Sequence, residues 1–224
     1  MKPSQPPVAA AAQGLRNEFG LYTDLHALVV DGRFDDVSQR LGELFDAATR
    51  QGTRYPGAAE LVPLLAGLAT DERLADIDRA WVMLDLFLFA SFERRHSEDT
   101  DDSGGREAVA ATLPALAGRW DAEPEVCQFL LAGIAAAFPQ AGGRLSAAMA
   151  RMAESHPGTG REAVMHLMLG LTRGDDAAIT SALRETEVWY PEIAQRHEGH
   201  YGSVVQHGLC VLEDLLEAEL DAVR

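Results

Sequence analysis

From Gln51 to Ala69 the chain ends one amphipathic segment, turns through Arg54-Tyr55-Pro56-Gly57 and opens another, so it must bury its apolar stripes by laying helix against helix. Upstream, Phe34, Val37, Leu41, Leu44 and Phe45 recur at three- and four-residue spacing, which puts them on one helical face. Gly52 ends that helix. Pro56 suits the first turn of the next, where a backbone N–H has no partner to lose, and Pro63 further in predicts a kink or a later start. Downstream the pattern continues. Asp71 is placed as the cap of a long helix over 72–95, and Val109, Leu113 and Leu116 form another stripe. Asp121 is expected to cap a helix carrying Val126, Leu130, Ile134 and Phe138, closed by Pro139. Leu145, Met149 and Met152 mark the next. Thr159 and Glu162 fit a capping box for a helix ending near Gly174, a short helix follows over 175–187, and Val205, Leu209, Leu212, Leu216 and Leu220 line the last. No segment alternates at period two over a useful length.

The helix pairs recur at irregular intervals of roughly 35 to 45 residues, the spacing of hairpin solenoids. The expected architecture is therefore all-α, a short α-solenoid of stacked antiparallel helical hairpins over 15–224. Residues 1–14, with three early prolines and few large apolar side chains, read as a disordered tail and not as a signal peptide. His96 to Gly105 is acidic, lacks large apolar residues and ends in two glycines, so it reads as a mobile loop. Over Phe34 to Phe92, the helix followed by Gln51-Gly52-Thr53-Arg54-Tyr55-Pro56 and then Ala58-Ala59-x-x-Val62-Pro63-x-Leu65 resembles the HEAT-like repeat proteins of actinobacteria. That resemblance implies a curved helical stack and no particular activity.

Thirty-five Asp and Glu stand against 19 Lys and Arg, a formal charge of −16, which repels phosphate backbones and anionic headgroups. Nucleic-acid and membrane partners are disfavoured. DNA-lesion recognition would need the arginines, among them Arg16, Arg33, Arg40 and Arg106, gathered on one face. Cys127 and Cys210 each lie in an apolar helical pattern and read as small buried hydrophobes. The longest apolar run, Ala80 to Phe92, is interrupted by Asp85 and Ser91 and falls short of the ~20 residues that span a bilayer. A cytoplasmic protein is expected.

Asp85 is the sharpest anomaly, a carboxylate inside Trp81-Val-Met-Leu-Asp-Leu-Phe-Leu-Phe. Such a group needs a partner, so either Arg54, Tyr55 or a neighbouring backbone group fastens it, or it serves a ligand. Trp81 lies one turn earlier on the same side, and Leu88 and Phe92 roughly continue the line, as a pocket or as core packing. Arg54, Tyr55, Trp81, Asp85 and Phe92 are thus the candidate ligand-binding set. His197, His200 and His207 offer metal-ligand chemistry, but glycines interrupt the helix and the zincin order is not met, so no metal is assigned. His166 reads as a hydrogen-bonded core residue. Trp189 and Tyr190 end the short helix, either packed against the last helix or as interface candidates.

No nucleophile elbow, phosphate-binding loop or dinucleotide fingerprint is present, and no cofactor is implied. The leading expectation is a non-enzymatic interaction module that binds a basic protein partner through its acidic surface, of immunity, antitoxin or pathway-accessory type. The alternative is an enzyme or small-molecule binder with its pocket near Asp85.

Overall fold

A computed structural model describes residues 58–95, 104–199 and 201–223, with the backbone alone at 58–61, 92–95 and 140. The expected tail, the helix over 34–45, the 51–57 turn and most of the 96–105 loop lie outside those residues, as do Arg54, Tyr55 and His200. Everything described is helix or short connection, without a strand. Helix α1 spans Ala58–Ala69, α2 Asp76–Arg95 and α3 Gly105–Ala117. A 3-10 turn at Trp120–Ala122 precedes α4, Glu125–Ala136, and a short α5, Pro139–Gly142. Then come α6, Ser146–Ser155, α7, Gly160–Arg173, and α8, Asp176–Trp189. The chain ends in α9, Pro191–Arg196, and α10, Val204–Val223.

Local chemistry explains most boundaries. Thr159 Oγ1 accepts the Glu162 N–H at 3.3 Å, while the Glu162 carboxylate reaches back to the Gly158 N–H at 2.6 Å, one residue before the cap itself. At the other end of α7, Gly174 adopts φ 64°, which a side chain would resist. Asp175 then caps α8 through the N–H groups of Ala177 and Ala178, both at 3.0 Å. Two expected caps fail. Asp71 sits in a turn ahead of α2, its carboxylate held by the backbone and guanidinium of Arg73, and α2 starts at Asp76. Asp121 lies in the 3-10 turn, and Pro124 takes the N-cap position of α4 with its φ of −63°.

Helix α2 is apolar on most of its circumference because α1, α3, α4 and α10 all pack on it. Helix α7 is enclosed in the same way by α4, α6, α8 and α10. One continuous core, from Val62 through Met83, Phe87, Leu130 and Met165 to Leu216, runs through both. Consecutive helices do pack together, as hairpins should. The last helix, however, returns to α2, a contact that a stack touching only sequence neighbours does not make.

Buried ions lock the layers. Arg79 and Glu123, 4% and 1% exposed, form an ion pair, and Arg79 Nε also donates to the Ala69 carbonyl at 3.0 Å, so α1, α2 and the 3-10 turn are tied at one point. Arg119 adds a second cation on Glu123 at 2.7 Å. Arg161 at the start of α7 bridges Glu125 of α4 and Glu219 of α10. Arg106 donates to the carbonyls of Ala90 at 2.7 Å and Ala137 at 3.0 Å, and lies 4.5 Å from the Phe138 ring centre.

Candidate functional site

The sequence candidates fall in two places. On α2 one stripe is only half-buried: Ile77, Trp81, Asp85 and Leu88. Its three- and four-residue spacing sets Trp81 beside Asp85 as the periodicity predicts, and Phe92, the next residue in line, has no described side chain. Among the described residues Asp85 meets no hydrogen-bond donor and no cation. Burial pushes its carboxyl up to about 8, so the group is protonated and neutral at pH 7. The expectation that Arg54 or Tyr55 fastens Asp85 falls on residues outside those described.

The second place is a cleft of about 330 Å³ between α8, α9 and α10. Sequence builds it simply: Pro191 starts α9 directly after α8, and the turn beyond Arg196 swings the chain back into α10. Behind it, two glycines permit α7, α8 and α10 to pack closely. A Cβ on Gly170 of α7 would lie 3.0 Å from the Ile179 backbone nitrogen of α8, and one on Gly208 of α10 would lie 3.1 Å from the Ile179 side chain. Leu183, Ile193, Val211 and Leu215 make the apolar side of the cleft, and Arg184, Glu187, Glu198 and His207 its polar side.

His197 is the C-cap residue of α9, not part of a continuous histidine-bearing helix. Its Nε2 faces Asp214 Oδ2 at 3.1 Å and its Nδ1 faces Tyr201 Oη at 2.7 Å. A carboxylate only accepts, so Nε2 carries a proton toward Asp214, and Nδ1 and the Tyr201 phenol share the second hydrogen bond. Arg196 shares Asp214 at 3.1 Å. Tyr201 stacks on His207 with ring centres 4.5 Å apart and planes 5° from parallel. Burial, reinforced by His197, holds His207 below the ordinary imidazole value, which leaves it neutral at pH 7. Burial, with Cys210 and Asp214 nearby, raises the Tyr201 phenol. With both nitrogens of His197 engaged, that ring has none to offer a metal, and the described residues contain no group of three or more ligating side chains.

At the C-terminal end of α8, Val188 is 76% and Trp189 50% exposed. Tyr190 turns inward and is half-buried, lining the cleft, and Gly160 packs on it so closely that a Cβ would lie 2.6 Å from its hydroxyl. Only Trp189 of the two interface candidates therefore presents a free ring. His166, expected in the core, is 42% exposed and faces Glu185 at 2.8 Å. Cys127 is buried and Cys210 half-buried, with neither in a disulfide. No described helix is long and apolar enough to cross a membrane. No family model, curated protein or solved structure matches the chain.

The cleft was not evident in the linear pattern, because its walls come from three helices whose relative placement no spacing encodes. One local signal existed. Thr180, Leu183, Arg184 and Glu187 share a face of α8 that mixes apolar, cationic and anionic groups, which a purely solvated or purely packed face would not.

Proposed function

We propose that the protein is a non-enzymatic interaction module that binds a basic protein partner, with Val188 and Trp189 as its apolar anchor. The observation that carries this reading is the exposure of those two side chains at the end of α8. Large apolar side chains left in water beside acids are what a docking surface needs: the ring supplies contact area and the acids steer approach. Between residues 175 and 198, six carboxylates stand against two guanidiniums, and Glu185 and Glu192 lie within one helical turn of Trp189 in sequence. Helices α1 and α2, packed across a short turn, are the segment through which a HEAT-like hairpin stack enters this reading. An immunity, antitoxin or pathway-accessory role is its concrete form.

Affinity capture from the native host at low and high salt tests it, with wild type beside Trp189→Ala. Basic proteins should be retained by wild type at low salt, released at high salt and lost from the variant. Capture indifferent to both salt and Trp189 would overturn the proposal. A second reading, a small-ligand site or enzyme centred on Asp85, draws on the neutral carboxyl beside Trp81, which meets no donor or cation among the described residues and is able to donate a hydrogen bond in an apolar setting.

A further inference from the structure

We infer that the cleft between α8, α9 and α10 binds a small zwitterion with an apolar body, the chemical class of a free amino acid. This inference does not rest on the docking surface, whose Val188 and Trp189 do not line the cleft. Its volume of about 330 Å³ lies within the range of small-ligand pockets. The charge on its walls is what narrows the class. Arg184 and Glu187 stand one turn apart on α8, both lining the cleft, and Glu198 lines it from the turn after α9. Among the described residues none of the three has an ion-pair partner, although i,i+3 spacing would let Arg184 and Glu187 meet each other.

Two carboxylates beside a single guanidinium repel phosphates and dicarboxylates. A bare hydrocarbon engages none of the three charges. A zwitterion satisfies both signs at once, its carboxylate on Arg184 and its ammonium on Glu187 or Glu198. Leu183, Ile193, Val211 and Leu215 then receive an apolar side chain. His207 fits the same division of labour: the ring lines the cleft, is stacked on Tyr201, and no protein group hydrogen-bonds either nitrogen among the described residues, so it offers a donor or an acceptor to the ligand. The His197–Tyr201–Asp214 chain fixes the turn that presents Glu198, and so acts as a positioning group.

The test is calorimetric titration of the full chain with three probes that share one aromatic body: L-phenylalanine, phenethylamine and hydrocinnamate. L-Phenylalanine should bind saturably and each half-charged probe about tenfold or more weaker, the loss of one charge-assisted hydrogen bond. Arg184→Gln should abolish the preference over phenethylamine, and Glu187→Gln with Glu198→Gln the preference over hydrocinnamate. All three are exposed or rim residues, so circular dichroism should be unchanged. Absence of saturable binding by L-phenylalanine, equal binding of the three probes, or preferences that survive these substitutions would each overturn the inference. Trp189→Ala, which breaks the proposed docking anchor, should leave L-phenylalanine binding intact.

Discussion

Replacing Asp85 by Asn should make the protein more stable, and the size of the gain should depend on pH. The carboxyl sits at about 8 in the folded chain against an ordinary 3.8, because burial disfavours the charged form. Folding therefore takes up a proton wherever the unfolded chain has released one. Stability is undiminished below the unfolded value, declines as pH rises through it, and levels off above the folded value. At ~1.36 kcal/mol per unit, the full shift would cost about 4 kcal/mol at pH 7. Asp85 is only half-buried, and solvent screening reduces this to ~1–3 kcal/mol. Asn keeps the shape of the protonated acid and cannot ionise. Urea denaturation followed by circular dichroism should show the variant more stable by ~1–3 kcal/mol near pH 7 and more so near pH 9, with the two proteins within ~0.5 kcal/mol near pH 4. A variant less stable than wild type at pH 7 would refute the reasoning, since it would mean that the carboxylate is ionised and held by a cation such as Arg54.

Glu123→Ala leaves the buried Arg79 guanidinium with only the exposed Asp76 carboxylate at 3.3 Å and should cost about 3 kcal/mol in urea denaturation. Gly170→Ala drives a methyl against the backbone of α8 and should cost ~1–3 kcal/mol by the same measurement, with a fold otherwise unchanged in its circular dichroism. Burial pushes the Cys127 thiol up to about 12, so iodoacetamide at pH 8 should leave Cys127 unmodified in the native protein and label half-buried Cys210 first, as read by peptide mass spectrometry.

Local chemistry made much of the fold legible. The capping box at Thr159 and Glu162, the left-handed Gly174 and the Asp175 cap depend on neighbours within four residues, and the sequence places those neighbours directly. Asp71 misled because a nearer partner, Arg73, takes its carboxylate before the backbone of α2 can. His166 was legible in principle: it shares a face of α7 with Glu162 and Arg173, the helix's polar side. What periodicity did not encode was the pairing of distant elements. Arg79 and Glu123 are 44 positions apart, and the return of α10 to α2 spans most of the described chain, so neither leaves a trace in helical spacing. The same holds for the cleft. Its histidines were visible as residue types, but the stacking of His207 on Tyr201 and the grip of Asp214 on His197 depend on how the turn after α9 folds back.

A photo-crosslinking side chain at Val188, compared with one at exposed Ala115 on α3, tests the docking surface most directly in extracts of the native host. The account predicts adducts to basic proteins from position 188 alone, suppressed at high salt and by Trp189→Ala. The same adducts from both positions, or adducts at 188 that ignore salt and Trp189, would contradict it.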